Sequence, residues 1–307
     1  MLDLRRLRLL CEFARRGSIA ATAAALGYTP SAVSQQLAAL EREAGTALLD
    51  RTARSAELTD AGRRLALRAE SILDMVEAAE AELAAESGVP SGRVVVTAFA
   101  SAAVAFAPAI ARSLADHSQL TFVLRQTSPG AGLAQVRSGE ADIALVDDWT
   151  GALPTQASPT LQLIHLCRDP LVLVLPPWHP MADPDEPLDL RRLSDEPWMA
   201  APPGEPSRQA VDRLLEAVPG EPTVAWEFEG MHTLLNLVAR GIGIAALPAL
   251  ALVGGDSRVA VREIPDLDVV REVYAVARAS SVRRPSVAVT LRAIYAAAQE
   301  AAPPVGS

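Results

Sequence analysis

In the first part of the chain, the hydrophobic and polar positions follow the spacing that is typical of helices. Apolar residues recur every three or four positions through residues 3–16 and again through residues 18–43, which predicts helices in both segments. Ser18 and Thr29 are suited to begin two of these helices as N-caps, and Gly27 is suited to end the first of the two. The pattern therefore predicts a helix-turn-helix between residues 18 and 43.

The second helix of this motif has a small, polar outer face. Val33, Leu37 and Leu40 form its apolar side at about 100° per residue. The opposite side carries Ser31, Ser34, Gln35 and Ala38. An ordinary solvent face more often carries charges, whereas hydroxyl and amide groups suit an approach to base edges in a DNA major groove. A helical hairpin with no role in DNA binding is the alternative.

A short hairpin and a long helix are predicted next. Residues 50–58 resemble a hairpin with Arg51 and Arg54 near its tip, where arginines suit phosphate contacts. Thr59 then precedes a helix that extends to about Glu86, and a helix of about 28 residues spans about 42 Å. Its apolar positions repeat every 3.5 residues, at Leu65, Ala69, Ile72, Val76, Ala79 and Leu83. These positions form a narrow apolar seam along the helix. Such a seam favours pairing with the same helix of a second subunit, and packing on its own chain is the alternative.

Beyond a break at residues 87–92, strands alternate with helices. The segment from Val94 to Val146 predicts a βαβαβ half of an open parallel sheet, and a second series runs from Leu171 to Ala246. Two α/β lobes with a cleft between them favour a small-molecule site. We expect an α/β fold with domains at residues 1–58, 59–88 and 92–307, the last divided into lobe one (about 92–163 and 270–300) and lobe two (about 164–269).

Charge is distributed unevenly along the 307 residues. The net charge is −9, but residues 1–65 hold ten arginines against seven acidic residues, a balance of +3, which leaves −12 for the remainder. A basic head on an acidic body is the asymmetry expected of a DNA-binding domain joined to a second domain. Cys11 and Cys167 lie far apart without a CxxC or histidine partner, so we expect neither a metal site nor a disulfide framework. We also expect no cofactor.

No apolar run approaches the roughly 20 residues that a membrane helix needs. The arginine-rich start also lacks the order of a secretory signal. We therefore expect a cytoplasmic protein with no membrane partner.

Four segments resemble one protein family. ATAAALGYTPSAVSQQLAALEREAGTALLDR, followed by LTDAGRRL, is similar to the winged helix-turn-helix of the LysR-type transcriptional regulators. SGEADIAL, HPMA and GIGIAALP resemble segments of that family's effector region, in the family's order. The resemblance covers nearly the whole chain. It implies a winged helix-turn-helix, a linker helix and a two-lobed effector domain like the periplasmic binding proteins, with crossing strands near Leu163–Cys167 and Ile264–Val270.

The resemblance also implies a function. The protein would bind double-stranded promoter DNA, respond to a small-molecule effector between the lobes, and assemble as a homodimer or homotetramer, with RNA polymerase a candidate further partner. The residues that match the family's DNA contacts are Pro30, Ser31, Ser34, Gln35, Arg51 and Arg54. Dimers would form through the linker helix at Leu65, Ile72, Val76, Ala79 and Leu83. Gln35-Gln36 replaces an arginine common in relatives, and Glu57 lies in the wing, so we expect modest affinity for each DNA-binding head.

The effector contacts are predicted by position, because they follow strands or begin helices. They are Ser101, Thr127, Ser128, Trp149, Pro202, Met231 and His232. Helix N-termini favour anions, which supports Ser101. Plain helix caps are an equally good interpretation of the serines, and a structural role is the more common one for the histidine.

Two other functional classes share parts of this design, namely a solute-binding-like protein and a cleft enzyme, each with an appended helix-turn-helix. The first would need a secretory signal. For the second, the chain has no phosphate loop, GxSxG or HExxH, and its four histidines are scattered, so we expect no catalytic residues. The effector region holds Cys167 alone, which argues against peroxide sensing through an internal disulfide.

Overall fold

The computed structural model describes residues 1–51, 56–128, 130–156, 159–255, 257–264 and 269–301. The chain divides into two compact units, one formed by Met1–Val89 with Ser280–Pro285 and the other by Pro90–Ala279 with Ser286–Ser307. No helix within the described ranges is long and apolar enough to cross a membrane.

In its described residues, the first unit contains four helices and a two-stranded hairpin. They are α1 Leu4–Arg16, α2 Ile19–Leu26, α3 Pro30–Ala44, β1 Leu49–Arg51, β2 Ala56–Leu58 and α4 Asp60–Ser87. The hydroxyls of Ser18, Thr29 and Thr59 each accept a backbone N–H from the first turn of the helix that follows. The side chains of these three residues thus determine where α2, α3 and α4 begin.

Buried aliphatic and aromatic side chains hold the first unit together. Leu7, Leu10 and Phe13 of α1 pack in one cluster with Val33 and Leu37 of α3. The first half of α4 joins the same cluster, whose members there are Leu65, Ala66, Ala69, Ile72 and Leu73. Part of the 3.5-residue seam therefore packs on its own chain.

The second unit alternates strands and helices, with two short 3₁₀ helices at Leu190–Leu193 and Ala249–Leu252. Its elements are β3 Gly92–Ala98, α5 Ala100–Leu114, β4 Leu120–Gln126, α6 Ala131–Ser138, β5 Ile143–Asp148, α7 Leu153–Gln156, β6 Leu161–Leu175, β7 Trp198–Ala200, α8 Pro206–Ala217, β8 Val224–Glu227, α9 Met231–Val238, β9 Ile244–Pro248, β10 Ala260–Glu263, β11 Val270–Arg278 and α10 Pro285–Ala301. The described strands follow the order β4-β3-β5-β11-β6-β9-β7-β8, with β10 beside β6.

The sheet is parallel at its two ends and antiparallel in the middle. β3 pairs in parallel with β4 and β5, and β7 pairs in parallel with β8 and β9. Between them, β6 runs antiparallel to β11 in its first ten residues and to β9 and β10 in its last five. The predicted strand at Leu171–Leu175 is thus the second half of one long strand that passes from lobe one into lobe two. Of the second predicted crossing strand, residues 265–268 lie outside the described part.

Candidate DNA-reading helix and effector pocket

The outer face of α3 presents polar groups to solvent. Pro30, Ser31 and Gln35 are exposed, and Ser34 is partly buried. Val33, on the other side of the helix, is fully buried in the core of the first unit. The helix therefore directs small polar side chains outward from a rigid base.

The two adjacent glutamines of α3 have different environments. Arg6 of α1 donates from Nε to Gln36 Oε1 at 2.9 Å, and its guanidinium also pairs with Glu43 at the end of α3. Gln36 therefore takes part in joining α1 to α3. Gln35 is exposed among the small polar side chains of the outer face, with Arg42 two turns farther along it.

A single glutamate connects α3 to the hairpin. Glu41 Oε1 accepts the backbone N–H groups of Leu48 at 2.9 Å and Leu49 at 3.0 Å, so the start of β1 is bonded to the helix. Arg51 is the last residue of β1, opposite Ala56. Arg54 lies outside the described residues.

In the second unit, a pocket of about 70 Å³ opens in lobe one. Its lining comes from the C-terminal ends of three parallel strands and from α6 and α7, and consists of Phe99, Thr127, Ser128, Gly130, Gly132, Leu133, Leu145, Val146, Asp147 and Leu153. Because β3 lies between β4 and β5, the crossover from β3 to β4 and the crossover from β4 to β5 run in opposite directions across the sheet. Such a switch point leaves a crevice beyond the strand ends, where open α/β sheets bind ligands.

The pocket has apolar walls and few polar groups. Phe99, Leu133 and Leu153 supply hydrocarbon surface, whereas Thr127 and Asp147 supply polar atoms. At Gly132, a Cβ atom would lie 3.0 Å from the Cβ of Ala144 and 3.1 Å from Cγ1 of Val146. Glycine therefore allows α6 to approach β5 closely.

Beside the pocket, Arg271 of β11 is buried among oxygen atoms. Its Nε donates to Asp169 Oδ2 at 2.6 Å, its Nη2 donates to Ser101 Oγ at 2.6 Å, and its Nη1 lies 3.5 Å from Asp147 Oδ2. Asp169 Oδ1 also accepts the N–H of Leu250 at 2.9 Å. Burial raises the pKa of Asp169, and the charge of Arg271 and the amide of Leu250 oppose that rise.

Two aromatic rings flank the same guanidinium. Its carbon lies 4.7 Å from the ring centre of Phe99 and 5.7 Å from that of Trp149. At these distances the ring faces attract a cation. Trp149 Nε1 in turn donates to Asp147 Oδ2 at 3.1 Å, which joins the ring to the same cluster of charges.

The structure separates the predicted effector residues into three groups. Thr127 and Ser128 line the pocket. Ser101 and Trp149 are buried behind it, where they contact Arg271. The remaining three belong to lobe two, where Pro202 precedes α8, and Met231 and His232 begin α9; they do not line this pocket.

Sequence reasoning missed Arg271 and Asp169. The sequence held no signal that singles them out, because each stands beside a second charged residue. Arg168 precedes Asp169 and Glu272 follows Arg271, and those two side chains are exposed or partly exposed. The identity of the partner was not readable, since the two residues are 102 positions apart.

Both cysteines are buried as neutral thiols. Burial raises the pKa of Cys11 from 9.0 to about 11 and the pKa of Cys167 from 9.0 to about 12. A thiol with so high a pKa supplies little thiolate, the reactive form, near neutral pH.

Comparison with protein families now decides the identity. Residues 87–299 match the family model described as the LysR substrate binding domain, and residues 4–63 match that of the bacterial regulatory helix-turn-helix protein, lysR family. The chain belongs to the LysR family. As a LysR-type transcriptional regulator it binds promoter DNA through its helix-turn-helix and responds to a small-molecule effector through its two-lobed domain. The predicted fold class and function are confirmed.

One relative is similar to this chain in sequence, and two solved structures are similar to it in fold. The HTH-type transcriptional regulator CbbR of Xanthobacter flavus is 31% identical over 281 residues, which cover 89% of this chain and 81% of CbbR. Among solved structures, a full-length OxyR variant from Pseudomonas aeruginosa superposes with a TM-score of 0.67 at 21% identity over 96% of this chain and 98% of that one. Full-length CbnR complexed with its target DNA superposes with a TM-score of 0.55 at 20% identity over 97% and 100% of the two chains.

Proposed function

We propose that this LysR-type regulator selects its promoters through α3, with Pro30, Ser31, Ser34 and Gln35 facing the bases and Arg51 and Arg54 of the wing contacting phosphates. The observation that carries the proposal is the difference between the two glutamines. Both side chains are exposed, but Gln36 is bonded to Arg6, while Gln35 lies among the small polar side chains of the outer face, with Arg42 two turns farther along it. An amide there can form paired hydrogen bonds with adenine in the major groove.

The test compares Gln35→Ala with Gln36→Ala. DNA duplexes selected by the wild-type protein from a random pool serve as specific targets, and scrambled duplexes serve as the nonspecific reference at the same salt concentration. Gln35→Ala should lose about 1–3 kcal/mol of discrimination, the worth of one good base contact. Gln36→Ala should lower the melting temperature and keep the specific-to-nonspecific ratio. Equal ratios for Gln35→Ala and wild type would overturn the assignment.

For the assembly, we propose that α4 pairs with α4 of a second copy through its C-terminal half. Val76, Ala79 and Leu83 of the predicted seam extend beyond the core cluster of the first unit, and Met75 adds a further exposed apolar side chain beside them. Leu65 and Ile72 belong to the predicted seam but pack partly against the unit's own core. Such pairing gives a homodimer, and two such dimers would form the homotetramer.

We propose that the effector occupies the pocket beside Thr127 and Ser128. Ser101 and Trp149 would act from behind it by positioning Arg271. Pro202, Met231 and His232 of lobe two do not line the pocket, and they would contact only a part of the effector that extends beyond it. The location of the pocket beyond the ends of parallel strands supports this proposal.

The remaining proposals concern the cellular setting. We propose a regulator that works in the cytoplasm, catalyses no reaction, and influences transcription by contact with RNA polymerase at the promoter. Its family consists of transcriptional regulators, which supports these roles.

A further inference from the structure

The charged part of the pocket wall is negative. Among the described lining residues, Asp147 alone carries a formal charge, and Thr127 and Ser128 contribute neutral hydroxyls. The other side chains that line the pocket are hydrocarbon. A ligand that fits this lining needs a compact apolar body and a polar group suited to a carboxylate.

Arg271 does not make the wall positive. Its side chain is 1% exposed, and its nitrogens are directed to Asp169, Ser101 and Asp147. Two carboxylates thus face one guanidinium, and the cluster keeps a net charge of −1. A ligand with one positive charge would neutralise it.

Asp147 has an oxygen suited to a ligand. Trp149 Nε1 and Arg271 Nη1 both approach Oδ2, at 3.1 Å and 3.5 Å. Among the described residues no hydrogen bond reaches Oδ1, and the side chain is partly exposed. A carboxylate oxygen accepts and does not donate, so its partner must carry N–H or O–H groups.

The N-terminus of α6 favours an anion, whereas Asp147 favours a cation, but the partial charge of the helix end is the smaller of the two. The helix begins at Ala131 without a side-chain cap, and its N-terminus is equivalent to about half a positive charge at most. The full negative charge of the Asp147 carboxylate is larger than this partial positive charge. The sum of the two still favours a cation over an anion.

We infer that the effector is a small cationic molecule, an amine with a compact apolar body, whose ammonium group is bound by Asp147. The inference rests on the proposed effector site. Thr127 and Ser128 would accept further hydrogen bonds from the ammonium group, and Phe99, Leu133 and Leu153 would cover the hydrocarbon part.

The experiment uses three probes with one skeleton, namely n-butylamine, 1-butanol and butyrate, at equal millimolar concentrations and matched ionic strength. Thermal shift and calorimetric titration are measured on the full chain. Butylamine should raise the melting temperature, because a ligand that binds the native state alone stabilises it. Butanol should raise it less, and butyrate should leave it unchanged.

Two variants locate the effect. Asp147→Asn keeps the shape and removes the charge, and should weaken butylamine binding about tenfold, the worth of a hydrogen bond to a charged group. Ser128→Arg places a cation at an exposed position of the lining without disturbing the core, and should abolish butylamine binding while allowing butyrate to bind. The second variant keeps the test decisive if Asp147→Asn unfolds.

Several results would overturn the inference: a butyrate shift as large as that of butylamine, butylamine binding unchanged in both variants, or no shift with any probe. The absence of a shift with every probe would contradict the effector site as well, whereas the Gln35→Ala comparison tests the DNA-reading proposal independently. Butyrate or butanol binding that Ser128→Arg alters, without butylamine binding, would contradict the inference and keep the effector site. A butylamine shift together with unchanged promoter discrimination in Gln35→Ala would contradict the DNA-reading assignment alone.

Discussion

Arg271 and Asp169 lie directly opposite each other in the antiparallel β11–β6 ladder, and Arg271 Nε donates to Asp169 Oδ2 at 2.6 Å. The pair occupies the place where β6 passes from lobe one to lobe two. Each member of the pair has a further hydrogen-bond partner, and the two partners belong to different lobes. Arg271 donates to Ser101 of α5 in lobe one, and Asp169 accepts from Leu250 of the second 3₁₀ helix in lobe two. One buried ion pair thus joins the two lobes at the point where they meet.

The first prediction concerns this pair. Arg271→Met should lower the free energy of unfolding of the second unit by about 3–5 kcal/mol, because Asp169 would remain buried without its counter-charge. Arg168→Met is the matched control on the neighbouring strand β6, where the arginine is 51% exposed and pairs with Glu272. It should cost less than about 1 kcal/mol. Urea unfolding followed by tryptophan fluorescence measures both, and equal losses would show that burial of the pair is not the cause.

The second prediction concerns acid stability. Burial alone would raise the pKa of Asp148 above 3.8, but hydrogen bonds from the amides of Leu153, Thr150 and Gly151 and from the Thr150 hydroxyl lower it overall. A lowered native pKa stabilises the fold above the pKa of the unfolded chain, and this contribution disappears as the pH falls through the native value.

Asp148→Asn should therefore cost about 1–3 kcal/mol near neutral pH, the worth of hydrogen bonds to a buried charge. The difference from wild type should shrink below about pH 4, where the unfolded carboxyl is protonated. Unfolding free energies across the pH range measure it, with the exposed Asp116→Asn as control. A difference that stays constant with pH would contradict the prediction.

The third prediction concerns α4. Val76→Asp combined with Leu83→Asp should convert dimers to folded monomers, since Leu83 is 69% exposed and needs a partner helix to cover it. Leu67→Asp is the control, because Leu67 is 68% exposed but lies about 160° around the helix from Leu83. Light scattering gives the mass and circular dichroism confirms helix content. Dimers that persist in the double variant would exclude this half of α4 as the interface.

The fourth prediction concerns Gly62 in the first turn of α4. A Cβ atom there would lie 2.1 Å from the carbonyl oxygen of Leu48. Gly62→Ala should therefore destabilise the first unit by about 1–3 kcal/mol through overpacking, although alanine has the better helix propensity by about 1 kcal/mol. Arg64→Ala, exposed in the same helix, should change stability by less than about 0.5 kcal/mol. A stabilised Gly62→Ala protein in thermal melts would show that the close approach is absent.

Local chemistry made much of the fold predictable. Ser18, Thr29 and Thr59 begin helices because their hydroxyls satisfy backbone N–H groups only a few residues away. The same locality let the strand-helix alternation predict the parallel strands β3, β4 and β5. The length of β6 was not predictable, since its first half is neither continuously apolar nor strictly alternating.

The α4 seam shows where periodicity reaches its limit. The repeat from Leu65 to Leu83 is a single pattern in the sequence, yet Ala69 is buried against the unit's own core while Leu83 is exposed. The spacing of apolar residues predicts which side of a helix is apolar, but it does not predict whether that side packs on its own chain or on a second copy. The packing of α1 against the first half of α4 buries that half of the seam and leaves the second half exposed.

The sequence by itself determined the family, the order of the domains and the candidate DNA-reading face, because these depend on short motifs and on periods of a few residues. Tertiary structure alone decided the charge environment of the pocket. Arg271, Asp169 and Asp147 meet only because β11, β6 and β5 are neighbours in the sheet, and pairing between distant strands leaves no local mark in the chain.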